Sequence, residues 1–502
     1  MSRIVVDTAA GRIEGTTVAA PDGTRLHRFL GVPYAAPPVG DRRWRAPVPP
    51  EPWTGVRPAT AFGPAAPQAA GVASRLPSFS VEPWDEDCLT CNVWTPGTAG
   101  ARPVMVWLHG GAYLGGGSAM GAFDGARLAA DGDVVAVTAN YRLGALGYLR
   151  ADAGDDADAN CGLRDQMAVL EWVAQHAAVF GGDPANVTVF GESAGAGSVL
   201  HLCSARRRAP FARAIVQSGE PRTLTTDLAQ RVRDAFLTAL DVAPDAPDAF
   251  ARLRARPVAE LLAAQDTVVA QLAIPTGMMP FHPTFDADLV DLDPIAAFGA
   301  GRARGVDLLI GNCRDELSLW RDPRARDLDD AGLRDMVARL GGGAVEPDAV
   351  LAAYRAEQPD RPAGDVWEAA RTDAVLRVPA LKAADAHVDA GGRAFVYRFD
   401  WEAPDIGAAH AVDVPFPFGT FDRDGWGAAV GADLRPDAAE RLSHAMRSAW
   451  STFAATGTPA APDLPTWPPH DPATRPTLLL DAECALAHDP AGAARAVWMA
   501  AG

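Results

Sequence analysis

A chain of 502 residues that is 48% hydrophobic and 22% charged has globular composition, which excludes disorder, collagen and coiled coil. Its 45 Lys+Arg against 63 Asp+Glu leave a formal charge of −18, a field that repels phosphate backbones and anionic lipid, so nucleic acid and membrane surfaces are not expected partners. The one lysine, Lys382, sits in the helical pattern Leu381-Lys382-Ala383-Ala384, which removes a Ser-Lys dyad, a Schiff base and a phosphate-cradling lysine from consideration.

Taken in order, the chain opens on Met1-Ser2-Arg3-Ile4-Val5-Val6-Asp7, with no apolar core of signal-peptide length, and nowhere do 18 apolar residues run together; a cytoplasmic protein is expected. The Pro-dense stretch from Pro33 to Pro52 is bordered and interrupted by Tyr34, Trp44 and Trp53, a density of aromatics that predicts a packed surface loop. Buried strands are predicted at Val104 to Leu108, Val134 to Thr138, Val187 to Phe190, Ala214 to Val216, Leu308 to Ile310 and Phe395 to Phe399. Helical patterns alternate with several of them, the clearest over Leu163 to Ala178 with Leu163, Met167, Leu170 and Ala174 on one stripe. Alternating β and α predicts an α/β fold with a mostly parallel central sheet covered by helices. Two helical blocks, Asp227 to Leu262 and Ala331 to Val388, read as insertions. With no repeat, low-complexity tract or charged linker, one domain over residues 1–502 is expected.

Chemistry concentrates in Val187-Thr188-Val189-Phe190-Gly191-Glu192-Ser193-Ala194-Gly195-Ala196-Gly197-Ser198, a strand running through G-x-S-x-G into a helical pattern. Glycines two residues either side of Ser193 let the chain turn sharply enough to hold its hydroxyl above the sheet edge, with a helix N-terminus behind it. A chance match is the alternative among 48 glycines, but the strand before and helix after argue for a nucleophile. The earlier segment Val104-Met105-Val106-Trp107-Leu108-His109-Gly110-Gly111-Ala112-Tyr113 is a buried strand ending in small residues whose N–H groups can approach a ligand.

The chain resembles the type-B carboxylesterase family, bacterial para-nitrobenzyl esterases and cholinesterases included. The likeness rests on Phe29-Leu30-Gly31-Val32-Pro33-Tyr34-Ala35, Glu86-Asp87-Cys88-Leu89, Asn140-Tyr141-Arg142-Leu143-Gly144, Phe180-Gly181-Gly182-Asp183-Pro184, the Ser193 turn, and Phe453-Ala454-Ala455-Thr456-Gly457-Thr458-Pro459. It implies an α/β-hydrolase fold and a serine hydrolase cleaving carboxylic esters, with oxyanion donors at Gly111, Ala112 and Ala194. The family's acid follows a Gly-x-x-x-Asp-Glu turn, matched by Gly311-Asn312-Cys313-Arg314-Asp315-Glu316, which places it on Glu316 with Asp315 in reserve; Leu317 stands where the family has glycine. Five histidines follow: His387 and His444 lie in helical patterns, and His470 and His488 in Pro/Asp-rich turns. His410, in Gly407-Ala408-Ala409-His410 and followed by Asp413-Val414-Pro415-Phe416, resembles the catalytic-histidine loop, with Asp413 where the family commonly has glutamate. The order Ser193, Glu316, His410 is that of α/β-hydrolases.

By that likeness the reaction passes through an acyl-enzyme on Ser193 with His410 as base and Glu316 as acid, on a small-molecule ester, with no cofactor and no metal. Acyl transfer to another nucleophile uses the same residues, and a neuroligin-like binding protein is the non-catalytic alternative, which retention of all three residues opposes. Six scattered cysteines do not make a disulfide scaffold. Cys88-Leu89-Thr90-Cys91 lacks a second pair for zinc, and where relatives pair Cys88 with an upstream cysteine this chain has Ala66, so both thiols are read as buried and free. Gly115-Gly116-Gly117-Ser118 has no following lysine and is not a phosphate loop. A choline gorge is not expected from 6 tyrosines, with Trp84 out of register with the choline-binding tryptophan. Gly277, Met278, Met279 and Phe281, before Pro283-Thr284-Phe285-Asp286, stand where cholinesterases restrict the acyl pocket with aromatics and predict an open one.

Overall fold

The computed structural model describes residues 2–69, 81–152, 154–276 and 279–500. Its strands are β1 (Arg3–Thr8), β2 (Gly11–Ala19), β3 (Arg25–Pro33), β4 (Val56–Pro58), β5 (Thr90–Thr95), β6 (Arg102–Leu108), β7 (Val135–Ala139), β8 (Gly182–Glu192), β9 (Arg213–Gln217), β10 (Asp307–Cys313), β11 (Arg393–Phe399), β12 (Pro476–Leu480) and β13 (Ala485–His488). Among the described residues they form one sheet in the order β1-β2-β3-β5-β7-β6-β8-β9-β10-β11-β12-β13, with β4 on β2. From β7 to β12 neighbouring strands run parallel. The edges, β1-β2-β3-β5-β7 at one side and β12-β13 at the other, are antiparallel.

The six predicted strands are all present, as β6 to β11. They read clearly because a parallel strand covered on both faces is a continuous apolar run. In β6, Val104, Val106 and Leu108 join one core while Met105 and Trp107 join the core on the opposite face. The predicted helix runs Cys161–His176 and tightens into a 3₁₀ turn at Ala177–Phe180. Its core face uses Leu163, Met167, Leu170 and Val173, with Ala174 only half-buried. Both helical blocks are helical: Thr226–Ala239, Ala249–Arg254 and Val258–Thr276 in the first, and a run from Asp330–Leu340 to Val378–Asp389 in the second. Each block has its own apolar cluster beside the two that cover the sheet.

Several family-like segments act as ties. Arg142 makes a buried, two-pronged bond to Asp165, Nε to Oδ2 at 2.8 Å and Nη2 to Oδ1 at 2.7 Å, and its own N–H donates to Oδ2 at 3.0 Å. Arg43 forks onto Glu86 and also donates to the carbonyls of Arg254 and Arg256, fastening the first helical block to the N-terminal region. Trp44 and Tyr34 are buried, so the Pro-dense loop is packed as predicted. Cys88 and Cys91 are buried and free, and burial pushes both thiols up, away from the reactive thiolate. His488 ends β13 instead of occupying a turn, while His387 and His470 are buried, with Nε2 of the first bonded to Val306 O and Nε2 of the second to Asp385. Among the described residues no helix is long and apolar enough to cross a membrane.

Candidate active site

Register brings the chemistry to one edge. Leu108 of β6 pairs with Gly191 of β8, Glu192 with Gln217 of β9, Gln217's neighbour in register Gly311 lies on β10, and Cys313 of β10 pairs with Phe399 of β11. The carboxyl ends of four parallel strands therefore deliver Gly110–Tyr113, Ser193, Glu316 and His410 to the same crevice, where open α/β sheets bind ligands.

Ser193 stands between β8 and the helix Ala194–Ser204 with φ +56°, a left-handed conformation unusual for a residue with a side chain. The turn is held by Ser193 N–H donating to Gln217 O at 3.0 Å. It needs glycine on its inner side: a Cβ on Gly195 would lie 2.0 Å from Leu108 O. After β6, Gly111, Ala112 and Tyr113 have φ of +115°, +56° and +59°, and the carbonyl of Gly111 accepts from Leu114 and Gly115 N–H. Among the described residues the N–H groups of Gly111 and Ala112 donate to no protein acceptor. Ala194 is the first residue of its helix, where N–H groups have no intrahelical partner. Gly110 packs against the elbow, since a Cβ there would lie 2.7 Å from Glu192 Oε2 and 3.1 Å from Ser193 Cβ.

Glu316 is fully buried in the turn Glu316–Trp320 after β10. Its Oε1 accepts from Cys313 N–H at 2.8 Å, its Oε2 lies 2.6 Å from His410 Nδ1, and its carbonyl accepts from His410 N–H at 3.1 Å. Leu317 does not disturb this turn; its N–H donates to Thr372 Oγ1 and its side chain faces the pocket. Asp315 turns away from the imidazole, pairing with Arg314 and accepting from Ala408 N–H at 3.1 Å.

The other imidazole nitrogen, His410 Nε2, lies 3.0 Å from Glu192 Oε1. Ser193 Oγ shares the pocket with His410 but makes no hydrogen bond to it. Burial alone would lower the His410 pKa, but Glu192 and Glu316 on its two sides, with Asp413 behind, raise it to about 9. Burial pushes Glu192 up to about 8 against the pull of His410, and Asp413 up to about 6 despite a bond from Gln217 Nε2 at 2.8 Å. Sequence reasoning missed Glu192, which occupies a position that G-x-S-x-G leaves open; its one signal was a charge sitting between a buried strand and a buried helix.

These groups open on a pocket of about 280 Å³ whose walls include Ala112, Ser193, Ala194, Met279, Leu317, Trp320 and His410. Met279 is where the acyl-pocket expectation needs it; Phe281 is instead fully buried against Phe236, and Gly277 and Met278 lie outside the described residues. Among the described residues no cluster of three or more His, Cys, Asp or Glu is arranged to hold a metal ion.

The carboxylesterase family model matches residues 2–498. The chain belongs to the carboxylesterase family. It is 38% identical to the para-nitrobenzyl esterase of Bacillus subtilis over 98% of this chain and 97% of that one, and 35% identical to the phenmedipham hydrolase of Pseudarthrobacter oxydans over 93% of each. Among solved structures, a thermophilic PNB esterase superposes with a TM-score of 0.85 at 34% identity, covering 99% of this chain and all of that one. A Geobacillus stearothermophilus carboxylesterase does so with a TM-score of 0.85 at 35% identity over 98% and 99%. The fold is the α/β-hydrolase fold, and this carboxylesterase is a carboxylic-ester hydrolase acting on small-molecule esters.

Proposed function

We propose that this carboxylesterase hydrolyses its ester through an acyl-enzyme on Ser193, with His410 as the base and Glu316 as the acid that orients it. The observation that carries the reading is the 2.6 Å contact between Glu316 and His410 Nδ1 beside a serine held at positive φ in the same pocket. Glu316 fixes the ring so that Nε2 faces the serine side of the site. Without substrate Nε2 lies 3.0 Å from Glu192 Oε1 and makes no hydrogen bond to Ser193, and catalytic hydrogen bonds often close only when substrate is bound. His410 then takes the Ser193 proton as Oγ attacks the carbonyl, and the N–H groups of Gly111, Ala112 and Ala194 hold the oxyanion. Each such donor contributes about 3 kcal/mol to the transition state. The proton passes from His410 to the leaving alcohol; water, deprotonated by the same imidazole, then releases the acid and frees Ser193.

One sheet running from Arg3 to His488 supports reading the chain as a single catalytic domain, and six free cysteines among the described residues support a cytoplasmic setting. The reading is tested by Ser193→Ala and His410→Ala. Each should lower kcat by up to roughly 10⁶-fold with the circular dichroism spectrum unchanged. A Ser193→Ala enzyme retaining a tenth of wild-type turnover would remove Ser193 from the mechanism.

A further inference from the structure

The catalytic pocket has a second, polar wall that the reaction does not use. It is built by the segment that leaves β9: Ser218, Glu220 and Arg222 all line the pocket that holds Ser193 and His410. Ser218 has φ +55°, is fully buried, and its Oγ has no hydrogen-bond partner among the described residues. Glu220 and Arg222 form an ion pair through Arg222 Nε. That nitrogen is buried, yet the Arg222 side chain as a whole is 41% exposed against 21% for Glu220, so the arginine is the member of the pair that an entering molecule meets.

The segment is held in place. Ser218 N–H donates to Gly311 O at 2.8 Å, Thr223 Oγ1 lies 3.1 Å from His201 Nε2, and Leu224 N–H donates to Pro283 O at 2.9 Å. A surface ion pair needs none of this. The Ser218 hydroxyl, which has no protein partner among the described residues, and the Arg222 guanidinium thus line one pocket as donors from which a ligand oxygen can accept.

The geometry points to this wall as a subsite for a carboxylate carried by the ester, such as the free acid group of a dicarboxylic acid monoester, with Arg222 and Ser218 donating to it. Arginine suits the task because its planar fork matches a carboxylate and stays charged. Glu220 orients the guanidinium and limits the subsite to groups that can compete with it. This inference rests on the Ser193 reading, since it assigns the pocket wall facing that serine.

The test compares kcat/KM for the p-nitrophenyl monoester of glutarate with that for p-nitrophenyl pentanoate, and for 4-acetoxybenzoate with that for phenyl acetate. The first pair puts the carboxylate on the acyl arm and the second on the alcohol arm. One of the two anionic-to-neutral ratios should exceed one in the wild type and drop by about tenfold in Arg222→Met, the loss of one charge-assisted hydrogen bond. The same ratio should rise in Glu220→Gln, where a competing acceptor charge is gone. Opposite movement in the two variants separates recognition from general damage to the pocket. Ratios below one on both arms in the wild type, or ratios that move together in both variants, would overturn the subsite. Failure to hydrolyse the neutral esters at all would instead count against the catalytic reading.

Discussion

Glu316 and Asp315 are adjacent acids that serve different partners: Glu316 Oε2 sits 2.6 Å from His410 Nδ1, whereas Asp315 Oδ2 accepts from the N–H of Ala408, two residues before that histidine. One carboxylate orients the imidazole and the other braces the loop that carries it. A strand end followed by a 3₁₀ turn places successive side chains on different sides, which is how one turn serves both.

Glu316→Gln should therefore cripple turnover, by about 10⁴-fold if the imidazole loses its orientation and tautomer. Asp315→Asn keeps the acceptor oxygen for Ala408 and should retain most activity. Steady-state kcat for the two variants checks this; reversed phenotypes would move the acid to Asp315.

The pH profile follows from the charges around His410. Burial lowers its pKa, but the facing Glu192 and Glu316 carboxylates win and raise it to about 9. A base must be neutral to accept the Ser193 proton, so kcat/KM should rise with pH through an inflection above the imidazole reference of about 6.5. The unperturbed value of 6.5 is what His410 alone in the sequence implies; its carboxylate neighbours are the reason for the difference. Glu192→Gln removes one negative neighbour and should move the inflection to lower pH. An inflection at 6.5 or below in the wild type, or no movement in the variant, would contradict this electrostatic account.

Gly111→Ala tests the loop after β6. Its Cβ would lie 2.1 Å from Gly115 O at a φ of +115°, so the loop must shift and take its N–H groups with it. Loss of one oxyanion donor costs about 10²–10³ in kcat, and that is the fall expected here with KM changed little. A variant with near wild-type kcat would place the oxyanion elsewhere.

Acyl size should be read by Met279, an adaptable apolar residue on the pocket wall. From acetate through butyrate to hexanoate, kcat/KM should rise by up to about 0.8 kcal/mol per methylene until the pocket fills, and Met279→Phe should end the rise earlier. A steady fall along the wild-type series contradicts an open pocket, and an unchanged series in Met279→Phe removes this residue from its wall.

The central strands and the Ser193 turn were legible because both obey local rules: a strand buried on two faces is an apolar run, and a sharp strand-to-helix turn demands small flanking residues. The antiparallel edges were not. Strand β1 reads Arg-Ile-Val-Val-Asp-Thr with only Val6 buried, and β13 has no buried residue, so neither carries the apolar signal of a core strand. Glu316 and His410 were placed by family-like motifs, because nothing local tells which of five later histidines returns to the serine. Glu192 and the Ser218–Glu220–Arg222 wall escaped notice since a charged residue in sequence reads as solvated until packing shows it buried or facing a pocket.

The most direct measurement is mass spectrometry of enzyme mixed with p-nitrophenyl butyrate and quenched in acid within the first turnover, where a protonated His410 cannot activate water. A butyryl group is expected on the peptide that contains Ser193, appearing with the burst of p-nitrophenol and absent in Ser193→Ala. A burst with the butyryl group on another residue, or turnover undiminished in Ser193→Ala, would contradict it.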